Sequence, residues 1–406
     1  MTQVPKVYFG SVIPGFQRDS VSLTAKLDKI IELLDFSKID KRDKVAIKMH
    51  LGLNVGYQTL HPLFVRRVVE AVKKTGAYPF ITDNPTAVYQ AAARGYTAET
   101  CGCPIIPIAG IKDRYTVKAK VDFMGVEDLD LSGVLNDSDA MIVLTHVKGH
   151  GNSGLGGAFK NIAVGGFGAP TRWHKIHPVV HYRKFFDEAK VTPDHAKKLV
   201  AACPRDAIEW NEKKKTLSLE PYVCDQCHEG EKACVKADAG KIGWQIRQET
   251  FDSFQEMMAV SAKAVLDTFN KDKLFYLNFM LNITPFCDCT GFGMPNIVPD
   301  IGVLGSKDIV AIDQASLDLI AREGLEMSTV SKIPERYTRI NKKPSKGLHP
   351  FQVIHGPMKN PYRVLDFAAQ RGMGSREYEL IEVLSVAETQ NMDMGSFAME
   401  SGPTFF

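Results

Sequence analysis

The chain has 406 residues, 44% of them hydrophobic and 24% charged, an ordinary globular balance that excludes a disordered or collagen-like polymer. Its 50 Lys and Arg against 47 Asp and Glu leave a net charge of +3, too even to suggest a nucleic-acid binder. The length allows about two to three domains and a core that needs neither disulfide nor metal to fold.

Eight cysteines are unevenly spread: none falls in the first hundred residues, and six lie between Cys203 and Cys289. A secreted disulfide scaffold would be shorter and more evenly punctuated, so the cluster reads as metal or redox ligands. The N-terminus lacks a basic region followed by a long apolar stretch, and no apolar run is long enough to span a bilayer. The expectation is a cytoplasmic protein without a membrane partner, in a reducing compartment where thiolates are available.

Val45–Met49 is a short apolar run that reads as a strand. Helical spacing follows through Phe64, Val65, Val68, Val69 and Val72, and Tyr78–Thr82 reads as the next strand. Strand, helix, strand with short links signals a parallel sheet. Lys48 and His50 end the first of these strands and Asp83 follows the second. Strand ends of this kind converge on one edge of a parallel sheet, where ligands collect. Cys101 and Cys103 adjoin an apolar run and read as packing residues.

Ala140–Leu144 is continuously apolar, as in a strand covered on both faces. It runs into His146, Lys148 and His150, then a glycine-rich stretch ending in Gly156, Gly157, Ala158, Phe159, Lys160 and Asn161. The spacing fits neither a Walker loop nor a dinucleotide fingerprint. The glycines let backbone amides approach an anion, and the histidines suit metal ligation or acid–base work. His174, His177 and His181 follow; the last two are four apart, as metal-ligating pairs are, with Pro178 between them.

Residues 190–245 differ in texture, with Lys-rich stretches, four cysteines and two of the three tryptophans. Cys203-Pro-Arg-Asp-Ala-Ile208 matches the end of a bacterial ferredoxin half, and Cys224, Cys227 and Cys234 form the next run. The Cys-Pro cysteine of one half ligates the cluster of the other, so these four make one complete set for a 4Fe-4S cluster. A second run would fall on Leu199, Ala196 and Pro193, and none of these is cysteine. Zinc is the alternative for four thiolates, but only one Cys-x2-Cys knuckle is present. Thr216–Leu219 is the expected strand between the halves.

Beyond the insert, residues 259–269 have helical spacing, and Leu274–Phe279 and Ile309–Ile312 read as strands. Cys287 and Cys289 flank a single residue after the first of these, as metal ligands, a second cluster's ligands or a redox pair. The expected fold class is α/β, a mostly parallel sheet with helices on both faces, interrupted by a small ferredoxin-like α+β insert. Residues 1–189 and 246–345 would form the two parts of the α/β domain. Residues 190–245 would form the insert, and 346–406 a small C-terminal appendage ending in a tail.

Several phrases resemble a known family: Ala46-Ile-Lys-Met-His-Leu-Gly52, Pro79-Phe-Ile-Thr-Asp83, His146-Val-Lys-Gly-His150, Gly156-Gly-Ala-Phe-Lys-Asn161 and Asp300-Ile-Gly-Val-Leu-Gly-Ser-Lys-Asp308. They are similar to the uncharacterised iron–sulfur-centre proteins grouped as the domain-of-unknown-function 362 family, from about Val7 to Val383. The resemblance implies an α/β domain with a ferredoxin-like insert and a redox or cluster-dependent role, largely in anaerobic microbes. This chain departs from the pattern by lacking the first cysteine run and by lengthening Cys227 to Cys234. Cys287 and Cys289 are then left to supply a second cluster.

The functional expectation is an iron–sulfur oxidoreductase. The insert would pass electrons to a small anionic substrate or a second metal centre at the strand ends. Lys48, His50, Asp83, His146, Lys148, His150, Lys160 and Asn161 would orient and protonate it. A redox partner such as ferredoxin fits this reading, a flavin is not demanded by any motif, and nothing in the pattern excludes a homo-oligomer. The alternatives are a non-redox cluster enzyme for hydration, elimination or sulfur transfer, and a non-catalytic electron-transfer protein.

Overall fold

The computed structural model describes residues 4–16, 18–181, 184–227, 232–333 and 347–389. The expected C-terminal tail lies outside these residues. In chain order the first strands are β1 (Lys6–Ser11), β2 (Lys44–Met49), β3 (Tyr78–Asp83), β4 (Ile105–Pro107), β5 (Thr116–Phe123), β6 (Val126–Ser132) and β7 (Ala140–His146). There follow β8 (Lys148–His150), β9 (Gly154–Gly156), β10 (Ile208–Asn211), β11 (Thr216–Leu219), β12 (Leu274–Met280), β13 (Gly302–Ser306) and β14 (Glu379–Glu382).

Eight of them form one sheet in the order β14-β1-β13-β12-β7-β2-β3-β4. Only β13 is reversed; it pairs antiparallel with both β1 and β12. The architecture is α/β, with a mostly parallel sheet. Apolar residues alternate between its faces. Val45, Ile47 and Met49 of β2 join one core, with Ala140, Ile142 and Leu144 of β7, while Ala46, Met141 and Val143 join the other. The helices Leu23–Leu34 and Pro62–Lys74 cover the first face, and Gln248–Leu266 and Ile309–Glu323 the second. Burial on both faces is why these strands read as continuous apolar runs.

A third, separate core gathers Phe185, Leu199, Ile208, Leu219, Trp244 and Phe251 around the antiparallel pair β10–β11. Asp238 is buried beneath it, accepting from Ile242 N at 3.1 Å, Trp244 N at 3.0 Å and His195 Nε2 at 2.8 Å. The C-terminal segment returns to the main sheet, where β14 adds a parallel edge strand to β1.

One expected strand is a helix. Ile309–Ile312 opens the helix Ile309–Glu323, and the strand is β13, just upstream. A short apolar run does not by itself distinguish a buried strand from a buried helix. Asp308 decides here, because its Oδ1 accepts from Val310 N at 2.8 Å and Ala311 N at 2.9 Å and so caps the helix.

Candidate functional site

The chain leaves β2 for β3 on one side and leaves β7 for β12 on the other. The carboxyl ends of β2 and β7 therefore flank a topological switch point, where a crevice opens in sheets of this kind. Lys48 and His50 arrive there from β2 and Asp83 from β3. Lys48 Nζ donates to Asp83 Oδ1 at 3.3 Å and to Met49 O at 2.9 Å. His50 Nδ1 meets Asp83 Oδ2 at 2.8 Å, and Leu51 N donates to the same oxygen at 3.0 Å. Burial alone would raise the Asp83 carboxyl, but Lys48 and His50 outweigh it and hold the group well below the usual range. Burial lowers Lys48.

Asn161 reaches the same point from the helix Ala158–Ala163. Its Nδ2 donates to Lys48 O at 3.2 Å and Leu144 O at 3.1 Å, and its Oδ1 accepts from Lys48 Nζ at 2.9 Å. The glycine-rich stretch upstream serves close packing. A Cβ on Gly157 would lie 2.6 Å from the Asp313 carboxylate. That carboxylate accepts from Ala158 N at 2.9 Å and Phe159 N at 3.0 Å. Two backbone amides at the end of this stretch are thus already taken by the protein's own carboxylate.

His146 and Lys148 point to a third buried acid. Lys148 Nζ donates to Asp288 Oδ1 at 2.7 Å, and His146 Nδ1 lies 3.0 Å from Asp288 Oδ2. Burial opposes the charge on Asp288, but His146 and Lys148 keep the carboxyl well below its usual range. Neither residue lines the large cavity described next; together they anchor the loop bearing Cys287 and Cys289. Those two cysteines are joined in a disulfide. His150, Cys287 and Cys289 bring their ligand atoms within 4.8 Å of one another, a donor set with the composition of a metal site.

A cavity of about 720 Å³ opens between this edge and the insert, within the size range of small-molecule sites. Lys48, His50, Asp83, His150, Lys160, Asn161, Arg172, His177, His181 and Cys289 line it, with Glu220, Pro221, Tyr222 and Val223 contributed by the insert. Lys160 is pushed down to about 8 by burial, with Lys48 adding repulsion. His177 is pushed down to about 4 by burial and is therefore neutral at neutral pH. His177 and His181 share a short 3-10 turn rather than an α-helix. His174 is exposed.

Cys203, Cys224, Cys227 and Cys234 together line a second, smaller cavity within the insert, also lined by Arg205, Asp225 and Lys232. Ala207 N donates to Cys203 Sγ at 3.3 Å. Gln226 and Cys227 take left-handed backbone conformations, at φ 59° and 46°, which turns the Cys-x2-Cys loop back around the cavity. Arg205 Nε and Asp225 Oδ2 form a buried pair at 2.9 Å beside it. Cys101 and Cys103 are buried in the main core, away from both cavities.

Sequence reasoning missed Asp288, Asp313, Arg172 and Tyr222. Tyr222 lies two residues before Cys224, and its ring stacks on Phe286 at 5.6 Å and meets His150 edge-on at 5.4 Å. It thereby joins the insert's cysteine loop to the Cys287–Cys289 loop.

The family described as Domain of unknown function (DUF362) matches residues 45–318. No curated protein matches the chain. Among solved structures, the lactate racemase apoprotein from Thermoanaerobacterium thermosaccharolyticum is similar at 10% identity and a TM-score of 0.33, covering 74% of this chain. This chain spans about half of that one, 56% of its length, and the likeness is too loose to bear on function. Among the described residues, no helix is long and apolar enough to cross a membrane.

Proposed function

The chain belongs to the DUF362 family, and on that footing we propose that it is an iron–sulfur oxidoreductase acting on a small anionic substrate. The observation that carries this reading is the convergence of four insert thiols on one cavity beside a larger, cation-lined one. The spacing of the thiols favours a cluster over a single ion. Tetrahedral zinc holds thiolates at about 2.3 Å and so draws its sulfurs to within about 4 Å of each other. Among the described residues, the Cys/His/acid trio within 4.8 Å is His150, Cys287 and Cys289. No three insert thiols are drawn together in that way, although all four line one cavity.

Cys203, Cys224, Cys227 and Cys234 would hold a 4Fe-4S cluster, which would supply one-electron transfer when bound. The chain's own groups do the rest. Ala207 N and the other loop amides favour negative charge on sulfur. Tyr222 packs the insert against the edge of the main sheet. Lys160 and Arg172 bind the substrate's negative charge, and the Lys48–Asp83–His50 network fixes the cavity's base. Lys160, pushed down to about 8, holds a proton near neutral pH and is able to release it. A ferredoxin-like donor would approach the exposed side of the insert, and a reducing compartment would keep its thiols available.

The test is reductive turnover by anaerobically reconstituted protein. Small anions that carry a reducible group, such as 2-oxo acids and carboxylate-bearing disulfides, are offered to dithionite-reduced protein freed of excess dithionite, and reoxidation is followed in visible absorbance. Lys160→Ala and Arg172→Ala should retain iron yet lose at least about tenfold in rate with the best acceptor. Unchanged rates in both variants would overturn the role given to the cavity.

A further inference from the structure

The disulfide loop has chemistry that electron delivery to the cavity does not use. Cys287 is buried, while Cys289 is half-buried and forms part of the cavity wall. Lys160 Nζ lies 3.4 Å from Cys287 Sγ, and Cys289 N donates to the same sulfur at 3.4 Å. Both contacts favour negative charge on Cys287.

His150 completes a trio that would suit a metal on composition alone. Its hydrogen bonds point elsewhere. His150 Nδ1 accepts from Asn152 N at 3.2 Å and Ser153 N at 3.3 Å. The proton of the neutral ring is therefore on Nε2. One nitrogen spends its lone pair on the turn and the other carries hydrogen, so neither is free for a metal. What remains is a hydrogen-bond donor beside a sulfur pair.

We propose that Cys287 and Cys289 are a redox-active dithiol–disulfide couple that reduces small disulfides carrying carboxylate groups. The proposal rests on the oxidoreductase reading for its source of electrons. Two electrons, arriving one at a time through the insert, and two protons convert the Cys287–Cys289 disulfide to two thiols. Cys289 then attacks one sulfur of the substrate disulfide as a thiolate. The substrate S–S bond breaks, and the first thiol leaves as a thiolate and takes up a proton. Cys287, held as a thiolate beside Lys160, attacks Cys289 Sγ. The second substrate thiol leaves and is protonated, and the protein disulfide re-forms. The net change is one disulfide, two electrons and two protons to two thiols. Substrate carboxylates meet Lys160 and Arg172, whose buried Nε has no hydrogen-bond partner among the described residues.

The experiment uses the full chain, reduced with dithiothreitol, freed of reductant under argon and mixed with glutathione disulfide as an anionic probe. The expected result is two glutathione thiols released per chain and one disulfide within the peptide bearing Cys287 and Cys289, mapped by mass spectrometry. Cystamine, a cationic disulfide, should react slower by about tenfold or more. Cys287→Ser should trap glutathione on Cys289, whereas Cys289→Ser should trap none at this loop. Failure of the wild-type loop to oxidise, an equal or faster reaction with cystamine, or a metal on the wild-type loop that both variants release would overturn the proposal. Because dithiothreitol supplies the electrons, this outcome is independent of the insert. Loss of ferredoxin-driven turnover with the dithiothreitol reaction intact would count against the oxidoreductase reading alone.

Discussion

Lys48 and Asn161 are bonded in both directions: Lys48 Nζ donates to Asn161 Oδ1 at 2.9 Å, and Asn161 Nδ2 donates back to the Lys48 carbonyl at 3.2 Å. The same amide reaches Leu144 O at 3.1 Å, so one side chain straps β2 to β7 where the cavity opens. Asn161→Ala leaves partly buried acceptors unpaired and should lower stability by about 1–3 kcal/mol. Asn161→Asp should lower it further, because an acceptor-only carboxylate then faces two carbonyls. Urea denaturation of the three proteins orders them; an Asp variant as stable as wild type would refute the strap.

Asp288 should be among the least replaceable residues near the cavity. It balances Lys148 at 2.7 Å and His146 at 3.0 Å, and all three side chains are buried. Asp288→Ala leaves Lys148 without its carboxylate and should cost about 3–5 kcal/mol. It should also free the disulfide loop, so alkylation of reduced Cys287 should be faster than in wild type. Thermal unfolding and a timed alkylation assay read the two effects separately.

Asp313 should matter for the same reason on the other side of the sheet edge. Its carboxylate takes Ala158 N, Phe159 N and Asn278 Nδ2 at 2.8–3.0 Å. Asp313→Ala removes every one of these acceptors and should destabilise by about 2–4 kcal/mol. A change below about 0.5 kcal/mol in chemical denaturation would show that the helix Ala158–Ala163 does not depend on it.

These acids show where sequence reading stops. The strands were legible because both faces are buried, with Val45, Ile47 and Met49 in one core and Ala46 in the other, which makes each a continuous apolar run within a few residues. The insert cysteines were legible from their short spacings, and they line one cavity. His146 and Lys148 read as cavity groups because they end a strand. Their partner Asp288 is 142 residues from His146, and no local pattern encodes so distant a charge pair. The glycines suggested amides open to an anion, but two that follow them, Ala158 N and Phe159 N, are taken by Asp313 from another helix. Arg172 and Tyr222 have no motif at all and acquire meaning only from the cavity between insert and sheet.

Stability should fall on acidification in a window set by buried histidines. Burial pushes His349 and His177 down to about 4, below the unfolded value of about 6.5. The unfolded chain therefore binds more protons between these values. The contribution is fully present above about pH 6.5, shrinks as pH falls, and changes no further below about pH 4. Each histidine adds a slope of about 1.4 kcal/mol per pH unit. His349→Asn should remove one such slope from a plot of unfolding free energy against pH, and an unchanged slope would contradict the assignment.

The proposed chemistry requires an iron–sulfur cluster in the insert. Iron and acid-labile sulfide analysis of anaerobically purified protein, paired with electron paramagnetic resonance of the reduced sample, tests it most directly. The expected result is about four irons and four sulfides per chain, a paramagnetic signal on reduction, and loss of both in Cys224→Ser and Cys234→Ser. A colourless protein that holds one zinc ion through the same cysteines would contradict it.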